Sequence, residues 1–290
     1  MKKILVTGAN GQLGSELRLI AGNWPQFDFL FTDVNELDIC NAPAVDAFVA
    51  DNAVDVIVNC AAYTAVDKAE SDEPKATVLN AVAPGYLAAA IEKRGGAMVQ
   101  ISTDYVFPGN ASQPVDEDAP VAPASVYGRT KLAGEKAALA ACRNTVIIRT
   151  AWLYSTFGNN FVKTMLRLGR ERDTLGVVFD QVGTPTYARD LAAAIMQILA
   201  KGIVPGVYHF TDEGVASWYD FTVAIHKFAG IGSCRVSPIH TADYPTPAAR
   251  PAYSVLDKSK IKRTYGIEIP YWADSVKQCV ESLLKSENSL

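Results

Sequence analysis

Lys3-Ile4-Leu5-Val6-Thr7-Gly8-Ala9-Asn10-Gly11-Gln12-Leu13-Gly14-Ser15-Glu16-Leu17 stands near the start of the chain and decides its fold. An apolar run of strand length ends in a glycine-rich turn, and helical periodicity begins where the turn stops. Gly8 permits the tight turn, Gly11 lacks the Cβ that would block a pyrophosphate, and Gly14 lets helix and strand pack closely. Such a turn aims the N–H groups and dipole of the following helix at a phosphate. The spacing is GxxGxxG rather than GxGxxG, and a glycine turn by itself marks any strand-to-helix junction. Its place at the end of the first strand is what points to a dinucleotide. Gly8, Asn10, Gly11, Gln12, Leu13 and Gly14 are therefore candidate cofactor contacts.

Further runs rich in Val, Ile and Phe follow: Phe27–Asp33, Val54–Cys60, Met98–Ser102 and Thr145–Arg149 read as strands. They lack polar alternation, so both faces are buried. Between them lie Ala-rich helical stretches, among them one from Pro84 to Gly95 and one from Thr130 to Ala141. This is the pattern of an α/β fold, a Rossmann-like doubly wound parallel sheet with helices on both sides. After Thr150 the regular alternation is expected to end. Residues 154–161 read as loop, Phe161–Arg172 and Asp190–Ala200 as helices, and prolines cluster from 206 onward. The expected division is a dinucleotide-binding domain of residues 1–150 plus about 176–205, and a smaller C-terminal substrate-binding lobe of about 151–175 and 206–290.

The chain has 290 residues, of which 49% are hydrophobic, enough for two cores. With 27 basic against 31 acidic residues and no block of like charge, nothing suits nucleic acid or an anionic membrane surface. Five cysteines, far apart and never in a CxxC pair, argue against disulfides and thiolate metal sites. The opening apolar run is too short for a signal-peptide core, and Leu191–Ala200 is too short to span a bilayer. A cytoplasmic protein is expected.

About twenty residues beyond the glycine turn, Asp33 ends the second strand, where a carboxylate can bond an adenosine ribose hydroxyl. It would repel a 2′-phosphate and so favours NADH over NADPH; it is also a residue at home in an ordinary turn. Asp38 and Ile39 are placed to flank an adenine. Tyr127 and Lys131, four apart, share one face of a helix. An ammonium beside a phenol favours its ionised form, so Lys131 is expected to lower the pKa of Tyr127 and to hold the nicotinamide ribose. Thr103, at the end of a strand, can bond a substrate carbonyl while Tyr127 gives it a proton.

The glycine turn, Asn59-Cys60-Ala61-Ala62-Tyr63, Ser102-Thr103-Asp104-Tyr105-Val106-Phe107, Tyr127-Gly128-Arg129-Thr130-Lys131-Leu132-Ala133-Gly134-Glu135 and Arg149-Thr150-Ala151-Trp152-Leu153-Tyr154 resemble the extended short-chain dehydrogenase/reductases. Within them the chain is most similar to the dTDP-4-dehydrorhamnose reductase family. Gly158–Val162, Asp180–Thr186 and Tyr244–Pro251 extend the resemblance over nearly the whole chain. It implies NADPH- or NADH-dependent reduction of the C4 keto group of a dTDP-sugar, dTDP-4-dehydro-6-deoxy-L-mannose, to dTDP-L-rhamnose. It implies Thr103, Tyr127 and Lys131 as the catalytic set, and Ala61, Ala62 and Tyr63 beside the cofactor. Asp104, Tyr105 and Trp152 would lie at the sugar, with Asn160, Lys163 and Arg250 at the nucleotide end, where a diphosphate suits a cation.

The same sheet serves sugar-nucleotide dehydratases, epimerases and dehydrogenases, so the site must decide. Thr103-Asp104 is followed by Tyr105, not by the glutamate of the dehydratase pattern; epimerases are not separated by spacing. A further alternative is a non-catalytic regulatory subunit resembling the methionine adenosyltransferase β subunit. Some relatives dimerise around a divalent cation such as Mg2+ held by glutamates. Glu16 matches one such position, but Arg189 stands at another and breaks the ligand pattern, so no metal is expected and Glu16 reads as a solvated helix residue. A homodimer remains open.

Overall fold

The computed structural model describes residues 1–287. The chain runs β1 (Lys2–Thr7), α1 (Gln12–Ile20), β2 (Phe27–Thr32), α2 (Ala42–Asp51), β3 (Val56–Asn59), α3 (Val66–Ala69), α4 (Glu73–Thr77), α5 (Ala83–Glu92), β4 (Ala97–Thr103), α6 (Val126–Ala141) and β5 (Thr145–Thr150). It continues through β6 (Leu153–Tyr154), α7 (Phe161–Glu171), β7 (Thr174–Val178), β8 (Val182–Gly183), β9 (Thr186–Tyr187), α8 (Ala188–Lys201) and β10 (Gly206–His209). The remaining elements are β11 (Ala216–Ser217), α9 (Trp218–Phe228), β12 (Arg235–Ile239), α10 (Ser259–Tyr265) and α11 (Trp272–Glu287).

Six strands form one parallel sheet in the order β10-β5-β4-β3-β1-β2. The apolar runs are buried on both faces, as expected. In β1, Ile4 and Val6 enter the core under α1 and α8, whereas Leu5 enters the opposite core under α2, α5 and α6. Val146 and Ile148 divide from Ile147 in the same way on β5. Side chains alternate across a strand, so a continuous hydrophobic run requires a layer of helices on each side.

The α/β alternation extends beyond Thr150. Gly206–His209, expected in the smaller lobe, pairs in parallel with Val146–Arg149 and closes the sheet edge, carrying Tyr208 into the core. Four residues after Pro205 offer too short an apolar run to stand out. Thr174–Val178 instead pairs with Arg235–Ile239, away from the main sheet. The second lobe has its own core, in which Val162, Leu166, Tyr187, Phe221, Trp272 and Val276 meet. Helix α6 starts at Val126, which puts Tyr127 on the helix with Lys131 as expected, and the Ser125 hydroxyl accepts from the Gly128 N–H at 3.1 Å as its cap. That start puts Tyr127 on the first turn. Among the described residues, no helix is long and apolar enough to cross a membrane.

Candidate active site

Strand order reverses on either side of β1, and at such a switch point the C-terminal strand ends diverge to leave a crevice. A cleft of about 940 Å³ opens there, at the upper end of the usual range for small-molecule sites. Gly8 sits at φ +64°, and a Cβ on it would come within 2.7 Å of the Ala61 backbone. A Cβ on Gly14 would lie 2.5 Å from Ala9 Cα and from the Gly8 carbonyl. The tight turn and the close helix-to-strand packing thus need both glycines. No side chain of the described residues caps α1, whose first turn holds no acid, so its N–H groups face the cleft beside Gly11. These features fit a dinucleotide pyrophosphate.

Gly8, Gly11, Gln12, Leu13, Asp33, Asp38, Ile39, Ala61 and Ala62 line the cleft together. Asn10, Gly14 and Tyr63 do not. Asn10 contributes its backbone N–H, which donates to Asp33 Oδ2 at 3.0 Å, and the Val34 N–H donates to Asp33 Oδ1 at 2.8 Å. Both Asp33 carboxylate oxygens are thus engaged by backbone N–H groups, so the carboxylate stiffens the turn, its charge is offset, and the expected preference for NADH does not follow from it. Tyr63 turns away, its hydroxyl donating to Asp72 at 3.1 Å and its N–H to Asn80 at 2.8 Å.

Thr103, Asp104, Tyr105, Tyr127 and Lys131 converge at the cleft floor. The Thr103 hydroxyl donates to Asp104 Oδ1 at 2.9 Å and accepts from the Tyr105 N–H at 3.2 Å. The rings of Tyr105 and Tyr127 meet edge-on at 5.4 Å. Lys131 Nζ donates to the Ile101 carbonyl at 2.6 Å. Burial lowers its pKa to about 8, opposed by the charges of Glu135 and Cys60. Tyr127 differs from expectation: burial raises its pKa well above the ordinary value, and the opposing influence is a hydrogen bond with Thr103 rather than Lys131. One donor of the Lys131 ammonium goes to the Ile101 carbonyl and none to the phenol, so desolvation of the phenol wins and Tyr127 holds its proton through neutral pH. Burial also raises Asp104 to about 6, against the hydroxyls of Thr103 and Ser254.

On the opposite wall Trp152, at φ +49°, stacks on Trp218 with ring centroids 3.6 Å apart. A left-handed backbone at a bulky residue is strained and is maintained only by its surroundings. Arg250 Nη1 donates to the Tyr105 hydroxyl at 3.1 Å, and Nη2 pairs with Asp67 Oδ2 at 2.6 Å. Asn160 lines the cleft and donates to Gln12 Oε1 at 3.1 Å. Lys163, expected at the nucleotide end, instead donates to the Gly158 carbonyl at 2.8 Å and does not line the cleft.

Glu16 is not solvated but fully buried, accepting from Ser155 Oγ at 2.6 Å and Arg189 Nε at 3.0 Å. Both carboxylate oxygens are used, and the described residues hold no group of three metal-ligating side chains. The position does not fit a divalent cation: the guanidinium supplies the positive charge. Sequence reasoning also missed Trp218 and Asp67, whose partners lie far along the chain. Glu135 carries a local signal in its four-residue spacing from Lys131, whereas Arg149 joins it only through the fold.

The RmlD substrate binding domain model matches residues 1–285. A dTDP-4-dehydrorhamnose reductase of Aggregatibacter actinomycetemcomitans is 42% identical over 96% of this chain and 98% of its own length. The crystal structure of a dTDP-4-dehydrorhamnose reductase from Clostridium acetobutylicum superposes with a TM-score of 0.93 at 46% identity, covering 97% of this chain and 99% of that one. That of a dTDP-4-dehydrorhamnose reductase from Bacillus anthracis in complex with NADP gives 0.93 at 37% identity, covering 97% and 100%. With a matching model along nearly its whole length and relatives of this identity, the chain belongs to the RmlD substrate binding domain family, that of the dTDP-4-dehydrorhamnose reductases.

Proposed function

We propose that this protein uses NADPH to reduce the C4 keto group of dTDP-4-dehydro-6-deoxy-L-mannose, giving dTDP-L-rhamnose, the last step of dTDP-rhamnose synthesis. The observation that carries the reading is that Thr103, Tyr127 and Lys131 share one cleft with the glycine turn, in a chain of this family. Bound NADPH supplies the hydride. The Tyr127 hydroxyl, kept protonated by burial, donates a proton to the ketone oxygen. Thr103 orients that oxygen, and Lys131 holds the nicotinamide ribose. Gly8, Gly11 and the first turn of α1 take the pyrophosphate, with Asp33, Asp38 and Ile39 around the adenosine. Trp152 and Trp218 wall the sugar, and Arg250 takes the nucleotide diphosphate. The smaller lobe carries most of these sugar-nucleotide contacts. The protein acts in the cytoplasm, and a homodimer is compatible with the reaction.

The test supplies dTDP-glucose with a 4,6-dehydratase and a 3,5-epimerase and follows NADPH and NADH oxidation separately. Oxidation that needs both upstream enzymes and yields dTDP-L-rhamnose supports the reading. No oxidation of either, with the keto sugar verified in the mixture, rules it out; turnover of the sugar without cofactor consumption would indicate an epimerase.

A further inference from the structure

Three consecutive residues of β4 engage three residues of α6 that stand one helical turn apart. Thr103 lines the cleft beside Tyr127, the Ile101 carbonyl accepts from Lys131 Nζ at 2.6 Å, and Ser102 Oγ donates to Glu135 Oε1. Positions 127, 131 and 135 fall on one helix face, so a single strand edge reads three turns of α6 in register. Glu135 is also gripped from the next strand. Arg149 of β5, the register partner of Ser102, donates Nε to Glu135 Oε1 at 2.9 Å and Nη2 to Oε2 at 2.7 Å. The two side chains are only 5% and 3% exposed.

Burying such a pair is a poor route to stability, because the cost of desolvating both ions offsets their attraction. Its hydrogen bonds do what an apolar contact cannot: they fix the rotation of α6 against two strands. They also place an anion one turn from the buried Lys131.

We propose that the Glu135–Arg149 pair, anchored by Ser102, is a positioning device for the reaction, holding Tyr127 and Lys131 in register with Thr103 and supplying the counter-charge of the Lys131 ammonium. The inference rests on the reading that Tyr127 and Lys131 act together on the keto sugar. The other acids on the elements around α6 have partners of their own, Asp67 of α3 pairing with Arg250. Glu70 accepts from the Val126 N–H, Glu73 faces Arg129, Asp104 accepts from Thr103, and Glu92 pairs with Arg143. Against burial, Glu135 and the Ile101 carbonyl favour the charged form of Lys131, and the Cys60 thiol beside it is held protonated by its own burial. Loss of the Glu135 charge therefore makes Lys131 release its proton at lower pH.

The experiment titrates Lys131 in the whole protein without ligands, by NMR of chain labelled with 13C-lysine, and measures kcat against pH. Glu135→Gln alone leaves a buried guanidinium unpaired and can fail to fold, so the charge-neutral variant Glu135→Gln/Arg149→Met is measured beside it. The expected result is a Lys131 midpoint lowered by about one unit or more in Glu135→Gln and by less in the double variant, which also loses the Arg149 cation, with the alkaline limb of kcat moving as far as the midpoint in each. KM for the sugar nucleotide should change less than about threefold. A folded variant whose Lys131 midpoint stays where it is in the unaltered protein overturns the proposal. The titration needs no turnover, so a protein that fails to reduce the keto sugar would defeat the proposed function while leaving this test intact.

Discussion

The two walls of the cleft are held by different means. On the wall proposed for the cofactor, here the cofactor wall, the groups assigned to it come from short stretches of chain: three glycines within one turn, and Tyr127 and Lys131 within the opening turns of α6. Their placement follows from backbone sterics and helix geometry. On the wall proposed for the sugar nucleotide, here the sugar wall, Arg250 meets Tyr105 across 145 residues and Asp67 across 183, and Asn160 meets Gln12 across 148. These contacts are partly exposed and depend on how the smaller lobe seats on the sheet. The cofactor wall is thus specified locally, and the sugar wall only by the completed fold.

Changes on each wall should therefore differ in size and in kind. The largest effect is expected for Tyr127→Phe, which removes the proton donor and keeps the ring: kcat should fall about 10²–10⁴-fold. Cofactor affinity, followed by fluorescence titration, should stay within error, and normal turnover would remove Tyr127 from its role. Next comes Arg250→Gln, which takes away a charge-assisted contact worth about 1.5–3 kcal/mol. It should raise KM for the sugar nucleotide roughly ten- to a hundredfold with cofactor affinity unchanged. An equal loss of cofactor affinity would mean that the two walls are not separable. The smallest effect is expected for Asp104→Asn. Burial raises the folded-state carboxyl to about 6, so between its ordinary value of 3.8 and about 6 the folded chain holds a proton that the unfolded chain has released. Folding stability then falls as pH rises through that window, and the ionised carboxylate remains a cost at neutral pH. Asp104→Asn should raise stability at pH 7 by on the order of 1–2 kcal/mol in urea unfolding while reducing activity. A stability curve parallel to that of the unaltered protein from pH 4 to 7 would remove the buried carboxylate as its cause.

The same contrast explains what could be read from sequence. The doubly wound sheet was legible because Ile4-Leu5-Val6 and Val146-Ile147-Ile148 are unbroken apolar runs that need helices on both faces. Strand β10 was not, since only four residues after Pro205 join the sheet and their signal is a sheet edge, not a pattern. Among site residues, the glycine turn and the pair Tyr127–Lys131 carry their meaning in their spacing. Glu16 shows the opposite case: on α1 it looks like a surface position, but Ser155 and Arg189, 139 and 173 residues further on, close over it. Tyr127 was found in sequence, but the direction of its pKa was not, because burial is a property of the packed site and outweighs a neighbour four residues away.

The stacked pair of Trp152 and Trp218 has an optical consequence. Two of the four indoles in the chain lie in van der Waals contact, their planes only 9° apart, on the wall of the cleft. Coupled chromophores at that separation give a strong near-ultraviolet circular dichroism band and quench one another's emission. In the function proposed above, a sugar ring settling against them would shed water from the indole faces and alter both signals. The stacked indoles would thus serve as a built-in reporter of occupancy in that half of the cleft, without any label.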